Sequence, residues 1–131
     1  MEGSSTNLAV FLAGDFNSQD NQEAYLAMKD SDLMTDLRDH VAPEKRYGDE
    51  ITFIGFHKDQ DPEDHGRIDF IWLGPKDAVG GDGDGDGGSP TQSRLGLQWT
   101  VQRYAVLSNV FESGVYNSDH RAVVGDVYLH R

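Results

Sequence analysis

The apolar run at residues 8–13 (Leu-Ala-Val-Phe-Leu-Ala) ends in Gly-Asp-Phe-Asn at residues 14–17. A run of this length, bounded by polar residues and a glycine, predicts a short and fully buried β-strand. Side chains alternate between the two faces of an extended chain, so Asp15 and Asn17 are predicted to share one side while Phe16 points into the core. A plain alternative is that Asp15 only caps the turn that follows the strand.

Two helices are predicted in the N-terminal part of the chain. The first is capped by Asp20 or Asn21 and continues through Asp30, because its apolar positions recur with helical spacing. The second begins at a cap on Asp32 and ends at Pro43, since proline cannot continue a helix. Together with the strands described next, they indicate an α/β or α+β layered fold.

Further strands are predicted where β-forming residues cluster between turn signals. Residues 51–56 are expected to form a short strand or an extended loop, followed by an exposed acidic loop at residues 59–64. The remaining strands are predicted at residues 68–73, 99–107 and 123–129.

The Gly-rich and Asp-rich residues within 80–92 allow two interpretations. Alternating Asp and Gly favours a calcium-binding loop, but a single copy lacks the closing Glu of an EF-hand. The preferred interpretation is a flexible insertion between two strands, since such a composition cannot offset its ordering entropy. Residues 8–130 are then expected to form one domain, preceded by a disordered N-terminus at residues 1–7.

The net charge of the chain bears on which partners it can bind. Acidic residues outnumber basic ones 23 to 11, which gives a formal net charge of −12. This balance argues against tight nonspecific binding to a nucleic-acid backbone, which needs clustered Lys and Arg. Carboxylates are instead the ligands that hard cations prefer. No apolar run approaches the roughly 20 residues of a membrane span, no secretory signal pattern is present, and the localisation stays open.

Three polar clusters lie at predicted strand ends: residues 14–17, 67–71 and 118–121. In the second cluster, Asp69 is a lone acid within an apolar strand, and burying a carboxylate is costly unless a partner offsets it. His120 is the natural partner, because a carboxylate fixes the tautomer of a histidine and raises its pKa. The alternatives are a structural bridge from Asp69 to Arg67 or Arg121, and an exposed loop histidine.

The remaining polar side chains complete a possible metal site. Asp15 and Asp119 offer oxygen ligands for Mg²⁺ or Mn²⁺, and Asn17 can donate to a substrate oxygen without adding charge. With Asp69 and His120 they predict metal-assisted hydrolysis of a phosphate ester.

The three clusters, in this order and about 50 residues apart, resemble the C-terminal signature motifs of the endonuclease/exonuclease/phosphatase superfamily, which has the deoxyribonuclease-I-like fold. Residues 47–56 also resemble a Thr-Phe-x-Gly-Phe segment found in its small-substrate and uncharacterised hydrolase members. That segment marks three further candidates for substrate binding: Thr52, Phe53 and Phe56.

The resemblance implies a four-layered α/β sandwich with a mixed, mostly antiparallel sheet, and a divalent metal, usually Mg²⁺. By matching position, Asp15 would activate the attacking water and Asn17 would help to hold the water and the phosphate. Asp69 would orient His120, which would stabilise the pentavalent phosphoryl centre. Asp119 and Asp15 would hold the metal.

One departure from the superfamily pattern shapes the expected activity. The N-terminal half of its members supplies a metal-binding Glu, whereas only seven residues precede the first predicted strand here. The chain is therefore expected to be a C-terminal portion with weak or no activity alone, and with an uncovered sheet face that favours self-association. The expected substrate is a small-molecule or lipid phosphate ester rather than duplex DNA. The rival hypothesis is a non-catalytic remnant that acts as a binding module.

Overall fold

The computed structural model describes residues 8–56, 65–81 and 96–131 of the chain. The main elements are strand β1 (Val10–Asp15), helix α1 (Glu23–Asp30), and strands β2 (Thr35–Asp36), β3 (Arg46–Gly48), β4 (Asp69–Gly74), β5 (Val79–Gly81), β6 (Gln98–Val106) and β7 (Val123–His130). Short 3₁₀ helices are formed by Leu37–His40, Pro43–Lys45 and Lys76–Ala78.

The strands form two sheets. In the first sheet, β1 and β2 both pair antiparallel with the central strand β4. In the second sheet, β6 pairs antiparallel with β7 along its length, and parallel with the short strands β3 and β5. The result is the mixed, mostly antiparallel α/β architecture that the sequence predicted.

Strand β4 separates two apolar clusters, because its side chains alternate between faces. On one face, Phe70 and Trp72 pack with Tyr25 of helix α1 and with Phe16. On the other face, Leu73 joins the larger core formed with the second sheet, which includes Trp99, Val101 and Val106. Helix, first sheet and second sheet are therefore successive layers, and the prediction that Phe16 points into the core is confirmed.

The prediction of a fully buried first strand is wrong. Every residue of β1 is exposed, and the side chain of Phe11 retains 69% of its accessible surface. Among the described strands, β1 pairs with β4 alone and lies at the edge of its sheet. Val10 and Leu12 are only partly covered, at 47% and 40% exposed, so the described residues do not bury this strand.

The second predicted helix is replaced by β2 and the 3₁₀ helix Leu37–His40. The cap of this turn is Asp36, whose side chain accepts from the Arg38 amide, rather than Asp32. Helix α1 is confirmed, but its N-cap residue is Gln22 instead of Asp20 or Asn21. Strands β2, β3 and β5 were not predicted, since each has only two or three residues.

Several sequence predictions lie outside the described residues. These are the disordered residues 1–7, the acidic loop at 59–64, and residues 82–92 of the Gly/Asp-rich insertion with its alternative calcium loop. Gly80 and Gly81, which were included in that insertion, belong to β5. No helix in the described ranges has the length and apolar character that a membrane span requires.

A buried ion pair joins three of these elements. The carboxylate of Asp36, which is 2% exposed, accepts hydrogen bonds from the Arg67 guanidinium and, at 2.8 Å, from the Tyr25 hydroxyl. The guanidinium also lies 4.7 Å from the ring centroid of Phe70. Burial and the Asp36 carboxylate both raise the pKa of Tyr25. The pair therefore connects β2, helix α1 and the chain entering β4.

Substituting Asp36→Asn should destabilise the fold by about 3–5 kcal/mol, because it removes the buried partner of the Arg67 charge and leaves only the exposed Asp20 carboxylate at 3.9 Å. Urea denaturation measures the effect. Asp32→Asn is the matched control, since Asp32 pairs with Lys76 on the surface and exposed pairs contribute little. Equal and small changes in the two variants would show that the buried pair is not a major stabilising contact.

Candidate active site

The pairing of β1 with β4 places two carboxylates side by side. In the antiparallel register, Asp15 lies directly opposite Asp69, and such cross-strand partners share one face of the sheet. The Asp15 side chain is 43% exposed and that of Asp69 is 20% exposed. Two like charges in these positions repel each other, so the pair favours a cationic neighbour.

His120 is that neighbour. Its Nδ1 lies 2.8 Å from Oδ2 of Asp69, and its Nε2 lies 3.8 Å from Oδ2 of Asp15 and 4.0 Å from Oδ1 of Asp119. A proton on Nδ1 donates to Asp69, which fixes the ring and directs Nε2 toward the other two carboxylates. The structure thus brings together four residues singled out from the sequence.

The charges around His120 favour its protonated form. Partial burial of the ring lowers its pKa, but the hydrogen bond and charge of Asp69, with the charges of Asp119 and Asp15, outweigh this and raise the pKa above its ordinary value. A protonated ring offers an Nε2–H donor at the rim of the site. That donor suits an anionic oxygen, such as one on a phosphoryl group.

The two alternative partners of Asp69 are engaged elsewhere. Arg67 pairs with Asp36, while Arg121 Nη1 lies 3.1 Å from Asp49 Oδ2 and donates to the Ile51 carbonyl at 3.0 Å. Among the ion pairs of the described residues, neither arginine reaches Asp69. The carboxylate of Asp69 is therefore left to His120, and the structural-bridge alternative is wrong.

Thr52 holds the backbone at Asp69 in place. Its side chain is fully buried, and Oγ1 accepts hydrogen bonds from the amides of Ile68 at 3.0 Å and Asp69 at 3.2 Å. This burial leaves no surface for the substrate contact that the sequence predicted. The hydroxyl instead satisfies the backbone at the start of β4, which makes Thr52 a positioning residue for Asp69.

The segment around Thr52 also holds His120. The Arg121 amide donates to the Thr52 carbonyl at 2.6 Å, and the Ile54 amide donates to the Asp119 carbonyl at 3.0 Å. The Phe53 ring packs against the imidazole with centroids 5.1 Å apart.

Two of the predicted substrate contacts remain predictions. Phe53 is partly buried against His120, while the Phe56 side chain is 52% exposed.

The turn after β1 combines two of the sequence interpretations. The Asn17 amide donates to Asp15 Oδ1 at 2.7 Å, so Asp15 does cap the turn, while its other oxygen faces His120. Asn17 lies beyond the last residue of β1 and has a positive φ of 51°. The position of Asn17 is therefore set by the turn that Asp15 caps and not by the alternation of side chains along a strand.

The donor set fits a hard divalent cation. The candidate ligand atoms of Asp15, Asp69 and His120 all lie within 4.8 Å of one another. Asp69 and His120 are hydrogen-bonded to each other, however, and a protonated imidazole does not bind a cation, so Asp15 is the ligand that this group offers. Asp119 adds a carboxylate next to Nε2 of His120. Carboxylate oxygens that are partly exposed suit Mg²⁺ or Mn²⁺, because such ions keep several waters.

A cavity of about 490 Å³ adjoins the catalytic candidates, and Asp69 and His120 are among its lining residues. It also contains Asn109, which the sequence did not single out. The only signal was its position, between a strand end and the cluster at residues 118–121, and such a position does not distinguish a site residue from a loop residue.

Solved structures share this fold. The chain matches a mannosyl-6-phosphatase from Bacteroides thetaiotaomicron with a TM-score of 0.62 and 26% identity, covering 96% of this chain and 40% of that chain. An endonuclease/exonuclease/phosphatase family protein from the same species matches with a TM-score of 0.63 and 23% identity, covering 95% of this chain and 37% of that chain. An endonuclease/exonuclease/phosphatase from Bacteroides vulgatus matches with a TM-score of 0.62 and 22% identity, covering 93% of this chain and 37% of that chain. No protein-family model matches the sequence, and no curated protein matches it significantly.

The predicted resemblance is confirmed at the level of the fold, which is that of endonuclease/exonuclease/phosphatase proteins. The chain spans well under half the length of the structures that it matches, at 37–40% of the three chains above.

In metal-free protein, the pKa of His120 should lie above the ordinary histidine value of about 6.5, and Asp69→Asn should lower it by removing the hydrogen-bonded charge. An NMR titration of the imidazole with EDTA present measures both values. Asp126→Asn is the matched control, because Asp126 pairs with Arg103 on β6. An unchanged pKa in Asp69→Asn would contradict the assigned contact.

The same shift predicts a pH dependence of stability. The His120 pKa is higher in the folded chain than in the unfolded one, so its stabilising contribution is complete below the unfolded-state value. That contribution is lost as the pH rises through the folded-state pKa.

Proposed function

We propose that this chain carries the water-activating and phosphate-stabilising residues of a divalent-metal-dependent phosphoester hydrolase of the endonuclease/exonuclease/phosphatase type. One observation carries the proposal: the His120 imidazole is held by Asp69 at 2.8 Å while its Nε2 faces the carboxylates of Asp15 and Asp119. The fold neighbours, which include a mannosyl-6-phosphatase, support a phosphate ester as the substrate.

In this proposal, Asp15 acts on the attacking water. Its carboxylate accepts a proton while the water oxygen forms a bond to phosphorus, and the bond from phosphorus to the leaving-group oxygen breaks. The leaving-group oxygen takes a proton from solvent. Asn17, directly after the capped turn, holds the water and a phosphate oxygen without adding negative charge to the site.

His120 stabilises the charge that develops on phosphorus-bound oxygens. Its Nε2–H donates to a non-bridging oxygen, and Asp69 keeps the ring oriented and cationic. A fixed donor of this kind costs no reorganisation when the charge develops, which is why such groups accelerate reactions strongly. Asp69 is therefore a positioning residue, while His120 and Asp15 are the catalytic residues.

Asp15 and Asp119 would hold the divalent metal, Mg²⁺ or Mn²⁺, at the exposed rim of the site. Such an ion, when bound, supplies charge neutralisation at the phosphoryl oxygens and lowers the pKa of a coordinated water. It would also relieve the repulsion between the two carboxylates, which lie 3.8 and 4.0 Å from His120 Nε2.

The proposed substrate is a small-molecule or lipid phosphate ester rather than duplex DNA. The formal net charge of −12 repels a polyanion, whereas a single phosphate group can be balanced by one metal and His120. Phe56, which is exposed, and Phe53 beside His120 are the proposed apolar contacts to such a substrate.

The domain assignment is also a proposal. Residues 8–130 would form the C-terminal portion of the domain, interrupted by an insertion that follows β5, within residues 82–92. Because the chain spans only 37–40% of the three family structures, we expect the isolated chain to be a weak catalyst.

A second candidate function is self-association, which the exposed apolar residues of β1 favour. Phe11 is 69% exposed and Val10 is 47% exposed, on the strand that ends its sheet within the described residues. Two copies can bury these apolar side chains against each other. Sedimentation equilibrium of the wild type and of two variants tests for self-association. Phe11→Ser should abolish a dimer, whereas the control Leu33→Ser should not, although Leu33 is equally exposed at 69%.

The isolated chain should cleave p-nitrophenyl phosphate or bis-p-nitrophenyl phosphate slowly, with less than about tenfold stimulation by Mg²⁺. His120→Ala and Asp15→Asn should remove the Mg²⁺-dependent part of this rate, because each removes transition-state stabilisation. Release of p-nitrophenol measures the rate.

His130→Ala is the matched control, because His130 ends β7 and belongs to no part of the proposed site. Equal rates in wild type, His120→Ala and the control would refute the proposed function. A stimulation of tenfold or more that both site variants abolish would refute only the expected weakness.

A further inference from the structure

His120 is held against Phe53 by a single antiparallel bridge. The backbone of His120 pairs with that of Phe53, which bridges Gly66 on its other side. Two hydrogen bonds flank the pair of His120 and Phe53, from the amides of Ile54 and Arg121. Short strand pairs are marginally stable in water, and this one is a single residue pair long. The position of the imidazole therefore calls for support beyond the bridge.

The Arg121 side chain supplies a third contact between the same two segments. Its Nη1 donates to the Ile51 carbonyl at 3.0 Å and lies 3.1 Å from Asp49 Oδ2. Arg121 therefore holds two consecutive carbonyls, that of Ile51 through its guanidinium and that of Thr52 through its own amide. This double contact fixes the chain at the residue that directly follows His120.

Asp49 prepares the segment that receives this guanidinium. Its Oδ1 accepts hydrogen bonds from the amides of Glu50 at 2.8 Å and Ile51 at 3.1 Å, while Oδ2 faces Arg121. The bond from the Ile51 amide, followed by the Arg121 charge and the Glu50 amide, lowers the pKa of Asp49 and outweighs burial, which raises it. The turn at residues 49–51 thus offers a carboxylate and a carbonyl to one nitrogen of Arg121.

A second arginine pairs with the same turn at a different place. Arg38 Nη2 lies 3.0 Å from Glu50 Oε1, and the Arg38 side chain is 18% exposed, against 19% for Arg121. Both pairs have an exposed carboxylate as partner, and such pairs add little to global stability. Among the hydrogen bonds and ion pairs of the described residues, Arg38 has none with residues 51–54 or 119–121. The two arginines therefore differ in position and not in burial or pairing.

We propose that Arg121 is a positioning residue, whose side chain fastens the segment that carries His120 to residues 49–52. Thr52 also bonds the backbone at Asp69, so both members of the Asp69–His120 hydrogen bond depend on one support. The consequence for catalysis rests on the proposed phosphoester hydrolase function. The placement of the imidazole does not rest on that function.

Native-state hydrogen exchange tests the placement at the two amides of the bridge, those of residues 54 and 121. In Arg121→Met, which keeps the apolar stem, the protection factors of both amides should fall by about tenfold or more, because a charged hydrogen bond is lost and the bridge opens locally. The amides that join β6 to β7 should keep their protection. In the matched control Arg38→Met, the bridge amides should keep theirs as well.

A lysine variant tests the chemistry of the contact. One nitrogen of Arg121 makes both side-chain contacts, and an ammonium also donates several hydrogen bonds from a single nitrogen. Arg121→Lys should therefore restore part of the protection at residues 54 and 121. Protection as low as in Arg121→Met would contradict this assignment of the contact.

Mg²⁺-dependent cleavage of bis-p-nitrophenyl phosphate tests the consequence for catalysis. The rate should be lost in Arg121→Met and unchanged in Arg38→Met. Wild-type chain without a Mg²⁺-dependent rate would overturn the hydrolase and leave the placement of His120 standing. A rate that survives in Arg121→Met would overturn the catalytic consequence of the proposal.

The exchange data decide the placement itself. Unchanged protection of the bridge amides in Arg121→Met would overturn the proposal. An equal loss in Arg38→Met, or across β6, would also overturn it, because the arginine would then act on the fold as a whole. If Arg121→Met fails to fold, Asp49→Ala takes its place, and unchanged protection at residue 121 in that variant would overturn the proposal.

Discussion

The arrangement of the site depends on one buried ion pair, between Asp36 and Arg67. Both side chains are almost inaccessible, with 2% and 10% of their surfaces exposed. A charge in that environment requires a partner, so the guanidinium is held on Asp36 of β2, which also accepts from Tyr25 of helix α1. Arg67 stands only two residues before Asp69, and its guanidinium pairs with Asp36 rather than with that carboxylate. The pair thus keeps Asp69 available for His120.

The second requirement is a support that holds Asp69 and His120 at hydrogen-bonding distance across 51 residues of chain. Thr52 provides it, because its hydroxyl bonds the backbone at Asp69 while its carbonyl bonds the backbone beside His120. The contact therefore rests on the backbone of three segments as well as on side-chain rotamers. Such fixed donors and acceptors are what phosphoryl-transfer sites need, since the protein contributes positioning and charge.

Much of the candidate site could be predicted from the sequence, because its residues are recognised from their immediate sequence neighbours. A carboxylate in an apolar strand and a histidine before another strand each break a pattern, so Asp69 and His120 stand out individually. Asp36 and Leu37 do not: they lie in a stretch with helical spacing, and tertiary contacts with Arg67 override that propensity. The exposure of β1 and the burial of Thr52 depend on which other elements cover them, and no single segment encodes that.

The central claim is that Asp15, Asp119 and His120 form one site for a divalent metal and a phosphate. Paramagnetic broadening of amide signals by Mn²⁺, with inorganic phosphate present, tests it without requiring turnover. The account predicts that substoichiometric Mn²⁺ first broadens residues 15–17 and 118–121, and that Asp15→Asn removes this selectivity. Broadening spread evenly over the acidic surface, or unchanged in Asp15→Asn, would contradict it.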